Sequence, residues 1–187
     1  MENNNRLEED FLYRARNLER QALAQIYDLY SPGLYRYAIR LLGDSDLAEE
    51  CVAETFSRFL HALHRHKGPR HHLQAYLYRV AHNWITDGYR RPPPPLEELN
   101  DDYPSAEGTP EELVAQDIRQ RRIRAALHTL TPDQRYVIAM KFLEGCDNEA
   151  IAQSLRKPIG AIKSLQHRGL ARLKKVLLDE ASHETKD

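Results

Sequence analysis

Apolar residues recur along this chain at intervals of three and four, and nowhere do they alternate residue by residue, so the pattern predicts helices and no strands. A first stripe runs through Ala22, Leu23, Ile26, Tyr27 and Tyr30. Ser31-Pro32 then reads as a restart, a cap followed by proline at the first helical position, with Gly43 as the stop. A second helix begins at Asp46 and carries Leu47, Cys51, Phe56, Phe59, Leu60 and Leu63 on one stripe. After the loop His64-Arg-His-Lys-Gly-Pro-Arg-His-His72, a third turns Leu73, Tyr76, Leu77, Val80, Ala81, Trp84 and Ile85 inward. The first part of the chain therefore reads as a bundle of three or four helices.

The second part opens with a helix carrying Ile118, Ala126, Leu127 and Leu130. Thr131-Pro132-Asp133-Gln134 then has the form of a capping box with proline at the first helical position. The helix that follows, through Val137, Met140 and Leu143, is stopped by Gly145. Residues 147–173 form two short amphipathic helices broken by Arg156-Lys157-Pro158, the outline of a helix-turn-helix. Ala152 is small where the first helix must approach the second, and Ile162 and Leu165 supply the second helix's buried stripe. Gly160, Ala161, Lys163, Ser164, His167, Arg168 and Arg172 remain outward and, with Lys157 in the turn, offer donors to DNA phosphates and base edges. The plainer alternative is an αα-hairpin whose charges are merely solvated.

Charge separates the two parts. A formal net charge of −1 conceals 13 Lys and Arg against four Asp and Glu over residues 118–178, and eight acidic with no basic residues over 92–117. The basic segment is the footprint of a polyanionic partner. The acidic segment starts with Pro92-Pro-Pro-Pro95 and holds few apolar residues, which predicts an extended, self-repelling linker. The expected organisation is all-α, with one module over 10–91, the linker over 92–110 and a second module over 111–178.

Several classes are disfavoured. No apolar run approaches the ~18 residues of a membrane span, and Met1-Glu-Asn-Asn-Asn-Arg6 has no signal-peptide core, so a cytoplasmic protein without a membrane partner is expected. Cys51 and Cys146, one per module, are expected to be reduced packing residues. His61, His64, His66, His71 and His72 match no structural zinc spacing and read as surface histidines that could add positive charge beside DNA. No nucleophile–base pair, phosphate loop or carboxylate dyad is apparent, so neither an enzyme nor a cofactor is expected.

The residues also carry a family resemblance. Tyr27-Asp-Leu-Tyr30, Gly43-Asp44, Leu47-Ala-Glu-Glu-Cys-Val-Ala-Glu-Thr-Phe56, Tyr76-Leu77, Ala81-His-Asn83, Asp87 and Arg90-Arg91 resemble region two of sigma factors of the extracytoplasmic-function (ECF) group of the sigma-70 family. Leu130-Thr-Pro132 through Lys163-Ser164 to Arg172-Leu173 resembles their region four. The resemblance implies a region 2-like three- or four-helix bundle and a region 4-like four-helix unit. It implies RNA polymerase core and promoter DNA as partners: the first module clamps polymerase and melts the minus-ten element, and the second reads the minus-thirty-five element as duplex. The long linker would also permit a cognate anti-sigma factor to sit between the modules.

Asp46, Glu49, Glu50, Glu54 and Arg58 form a polar face suited to a basic helical partner and are assigned by the resemblance to polymerase. Arg79, His82, Asn83, Thr86, Asp87, Arg90 and Arg91 lie opposite the third helix's apolar stripe, near Tyr78 and Tyr89. Of these, Arg79, Asn83, Asp87, Arg90 and Arg91 are the single-strand candidates. Trp84 reads as core, and a flipped base would fall to the loop from His66 to Gln74. Lys163, Ser164, His167, Arg168, Arg172 and Lys157 are the duplex candidates. The chain departs from the family at Ala53 (usually Gln), at Tyr76 (usually Trp), at Arg156 (usually Gly) and at Leu165-Gln166, which reverses the usual Arg-then-apolar order. Two other classes stay open: a free-standing regulator binding an operator without polymerase, and an adaptor that holds a signalling partner through the acidic face.

Overall fold

The computed structural model describes residues 10–89 and 110–184, and all regular structure among them is helical. These residues fall into two compact units. The first holds α1 (residues 10–16), α2 (Arg20–Leu42), α3 (Ser45–His64) and α4 (Leu73–Tyr89). The second holds α5 (Pro110–His128), α6 (Pro132–Ile138, continued by a π-helical turn over Ala139–Leu143), α7 (Asn148–Leu155) and α8 (Ile159–Glu184). Most of the expected linker, and the ends of the chain, lie outside the described residues. No helix among those described is long and apolar enough to cross a membrane.

In the first unit α2, α3 and α4 pack on one another. The restart expected at Ser31-Pro32 does not occur: α2 runs unbroken, with Pro32 inside it. Proline removes one backbone donor and crowds the preceding turn. Ala22 and Ile26 before it and Leu34, Tyr37, Ala38 and Leu41 after it nevertheless lie on one buried face, and that shared burial carries the helix through. Gly43 ends α2 in the left-handed region (φ 75°), donating to Ile39 O. α3 starts one residue before its expected first position because Asp44 is the cap, its Oδ1 accepting from Leu47 N at 2.8 Å.

Three apolar stripes differ from expectation, and on α2 Tyr27 is exposed. Leu47 and Leu60 of α3 are exposed, whereas Ala48, Val52 and Thr55 join Cys51, Phe56, Phe59 and Leu63 in the core. On α4, Tyr76, Val80 and Trp84 are only half-buried, so Trp84 is not a core residue. Tyr78 and His82, expected on the outer side, are buried instead. The cause is a polar contact across the core. Tyr37 Oη lies 2.7 Å from His82 Nδ1, and the Tyr37 and Tyr78 rings meet edge-on with centroids 5.3 Å apart, so an imidazole is buried with a partner.

In the second unit the capping box forms as expected. Gln134 N donates to Thr131 Oγ1 at 3.4 Å, and Thr131 N to Gln134 Oε1 at 3.0 Å. Arg135 is buried with its guanidinium on the last carbonyls around α5, Leu127 O at 3.0 Å and Leu130 O at 3.2 Å, where a cation complements the helix C-terminus. Ile118 and Leu143, expected inward, are exposed. For Leu143 the reason is the π turn, marked by Glu144 N donating to Ala139 O, which holds Ala139 and Met140 in the core and swings Phe142 and Leu143 out.

Candidate nucleic-acid interface

The helix-turn-helix is built from local bonds. Asp147 Oδ1 caps α7 by accepting from Ala150 N at 2.7 Å, and Tyr136, fully buried in α6, donates to Ser154 Oγ at 2.9 Å. α7 ends with Arg156 in the left-handed region (φ 52°, ψ 44°). Arg156 N donates to Gln153 O at 3.2 Å and Lys157 N to Ala152 O at 3.0 Å, the paired bonds of a Schellman turn. The side chain at the family's usual glycine position thus tolerates the αL backbone.

α8 is held by Ile162, fully buried, and by Gly169, where a Cβ would stand only 3.0 Å from Ile138 Cγ1. Leu165 and Gln166 are both half-buried, and Gln166 Nε2 donates to Asn148 Oδ1 at 2.7 Å. The opposite face presents Lys163, Ser164, His167 and Arg168 around one shallow depression, with Arg172 exposed a turn further on. Five of the six duplex candidates are thereby brought to one helix face. The sixth, Lys157, is exposed in the turn and engaged by Asp133, Nζ to Oδ2 3.2 Å. Gln166 was singled out in the sequence only as a reversal of the family's order, and its bond to α7 was not foreseen; Arg135, which ties α6 to the end of α5, was not singled out, its one signal being a cation on an otherwise apolar stripe.

In the first unit Asn83 and Asp87 are exposed one turn apart on α4, with Arg79 half-buried on the same face. Arg90 and Arg91 lie outside the described residues. On α3, Asp46, Glu49 and Glu50 are exposed, and Glu54 pairs with Arg58 at 2.7 Å. Cys51 is buried, its Sγ 3.9 Å from Ala81 O, and burial pushes its thiol up to about 12. Both cysteines are free thiols, each buried in its own unit.

Comparison with known proteins agrees with this geometry. Residues 26–92 match Sigma-70 region 2, and residues 120–173 match Sigma-70 region 4. The chain is 29% identical over 175 residues to the ECF RNA polymerase sigma factor BldN of Streptomyces coelicolor, covering 92% of this chain and 66% of that protein, so it spans just under two thirds of BldN's length. It is 29% identical over 157 residues to the ECF RNA polymerase sigma factor SigX of Bacillus subtilis, covering 80% of each. Its fold is similar to that of CnrH, solved in complex with the cytosolic domain of CnrY, with a TM-score of 0.68 at 22% identity over 92% of this chain and 97% of that one. It is also similar to that of the sigma factor RpoE from Bartonella quintana, solved with the anti-sigma factor NepR, with a TM-score of 0.58 at 24% identity over 82% and 95%. An all-helical chain with a region 2 unit followed by a region 4 helix-turn-helix unit is a sigma factor in class. This chain belongs to the ECF group of the sigma-70 family of RNA polymerase sigma factors.

Proposed function

We propose that this chain is a cytoplasmic, non-enzymatic initiation subunit that brings RNA polymerase core to a set of promoters through a division of labour between its two modules. The module over 10–91 docks on core through Asp46, Glu49, Glu50, Glu54 and Arg58. It holds the melted minus-ten strand through Arg79, Asn83, Asp87, Arg90 and Arg91, where amides and cations meet unpaired bases and phosphates. The module over 111–178 places α8 in the major groove of the minus-thirty-five element, Lys163, Ser164, His167 and Arg168 reaching base edges and Arg172 and Lys157 phosphates. CnrH was solved with the cytosolic domain of CnrY and RpoE with the anti-sigma factor NepR, which favours a cognate anti-sigma factor here too. The observation that carries the reading is the pairing of regions 2 and 4, in that order, in one chain.

The test is polymerase dependence. The full chain should open promoter DNA only with core enzyme, and residues 1–91 should be retained on core where residues 111–187 are not. Tight operator-like binding without core, or equal retention of both fragments, would sink the division.

A further inference from the structure

Arg156 ends α7 with a left-handed backbone (φ 52°, ψ 44°), the only non-glycine residue to do so among the described residues of the second unit. A side chain is disfavoured there and glycine is not, because the Cβ crowds the following carbonyl oxygen. The turn itself makes no demand for arginine. Its closing bonds, Arg156 N to Gln153 O and Lys157 N to Ala152 O, are donated by the backbone, and glycine would make both. Nor is the side chain packed or paired. It is exposed, and among the described residues no carboxylate answers it, whereas the neighbouring Lys157 is engaged by Asp133 at 3.2 Å. A strained residue that nothing within its own unit requires points to a partner outside the fold.

We propose that Arg156 is a phosphate contact of the duplex-binding module, gripping the DNA backbone at the edge of the major groove that α8 enters, and that the strain at this position is kept for that contact. The surrounding sequence selects a polyanion: residues 150–178 hold seven Lys and Arg and no carboxylate. A recognition helix meets the base edges with its N-terminal residues. Arg156 lies three residues ahead of Ile159, the first of α8, so the turn is carried to the phosphates that wall the groove while Lys163, Ser164, His167 and Arg168 face its floor. A long guanidinium with several donors suits a phosphate oxygen at that place. Glycine, usual here in the family, relaxes the turn but supplies no donor. Stability and binding therefore pull this position in opposite directions. The inference rests on the reading of this module as the binder of the duplex upstream element.

The experiment uses the full chain with core enzyme and compares Arg156→Gly, Arg156→Lys and Lys163→Ala/Arg168→Ala. Binding to a duplex promoter fragment is measured across a salt series at a temperature too low for opening, beside core retention and thermal unfolding. Each duplex phosphate contributes about 0.9 to the log–log salt slope. Arg156→Gly should raise the Tm, keep core and bind DNA more weakly, losing about 0.9 of slope, so that over a fourfold rise in salt its affinity falls about 3.5-fold less than that of wild type. The loss should be the same on preferred and altered upstream sequences, since a phosphate contact reads no base. Arg156→Lys should keep the wild-type slope. If Arg156→Gly binds with wild-type affinity and slope while Lys163→Ala/Arg168→Ala weakens binding, the Arg156 contact is overturned and the module's DNA binding stands. If neither weakens binding, both are overturned. A lowered Tm in Arg156→Gly would mean that the arginine serves the fold itself, and loss of core retention would make the turn a protein-docking point; either overturns the proposal.

Discussion

The Gln166 amide, donating to Asn148 Oδ1 at 2.7 Å, joins the second turn of α8 to the first residue of α7 and so ties the two helices together. In the family an apolar residue follows a cation at this point; here Leu165 and Gln166 share the half-buried edge, and the amide is satisfied without turning outward.

Gln166→Ala and Asn148→Ala should each cost about 0.5–1.5 kcal/mol in urea unfolding of the second module. The double variant should cost less than the sum, with a coupling of about 0.5 kcal/mol or more. Strict additivity would mean that the bond adds nothing to the rigidity of the pair.

Arg156 occupies a left-handed backbone position that glycine adopts freely, and its side chain is exposed. Arg156→Gly should therefore raise the stability of the second module by about 1 kcal/mol, and Arg156→Val should lower it by more than alanine does, since a β-branched residue is least at home there. Thermal unfolding of the wild type and the Gly, Ala and Val variants checks the order Gly, Arg, Ala, Val.

Two glycines of α8 should respond with opposite signs. Gly160 has open space around it, so Gly160→Ala should gain up to about 0.8 kcal/mol from helix propensity. Gly169 abuts Ile138, a buried and branched side chain, with Gln134 Cβ close behind, so Gly169→Leu should cost about 1–3 kcal/mol by overpacking despite the same propensity gain. A stable Gly169→Leu protein would mean that α6 and α8 separate more easily than their contact suggests.

What could be read from the chain was local. Asp44 and Asp147 aside, the cap at Thr131 and the stops at Gly43 and Gly145 depend on a few neighbouring residues, and those signals were present in the sequence. The exposed face of α8 was legible for the same reason: Ile162 is buried, and Lys163, Ser164, His167 and Arg168 fall on the far side at helical spacing. What was misread depends on distant partners. His82 and Tyr78 look like an outward polar edge of α4 until Tyr37 of α2 meets them, and Pro32 looks like a start until the packing of residues on both sides overrides it. The π turn after Ile138 has no sequence signature at all, so Leu143 kept an inward place on a stripe that an ideal helix would have continued.

Burial holds the Cys51 thiol protonated, from a usual value of 9.0 up to about 12. The unfolded chain releases this proton first as pH rises, so the contribution to stability is complete below about pH 9 and is lost between about 9 and 12. Wild type should lose more first-module stability over that window than Cys51→Ala, which starts lower and falls less steeply. At pH 7.5 Cys51 should resist alkylation by iodoacetamide until the module unfolds; fast labelling of the native chain would show that the site opens readily.

The recognition helix allows a sharper separation. Arg168 stands on the exposed face with Lys163, Ser164 and His167, its Nε only loosely held by Ser164 O at 3.3 Å, so its guanidinium is available to a base edge. Lys175 is exposed two turns further along α8, beyond the end of the helix that enters a major groove. Arg168→Ala should cost about 1–3 kcal/mol on the preferred minus-thirty-five sequence and flatten discrimination at one base pair, whereas Lys175→Ala should weaken binding to every sequence alike and lower the salt slope by about one. Binding of holoenzyme to a panel of single-base variants of the upstream element, at several salt concentrations, measures both. Uniform weakening by Arg168→Ala would reduce Arg168 to a phosphate contact and move base reading to the neighbouring Lys163, Ser164 and His167.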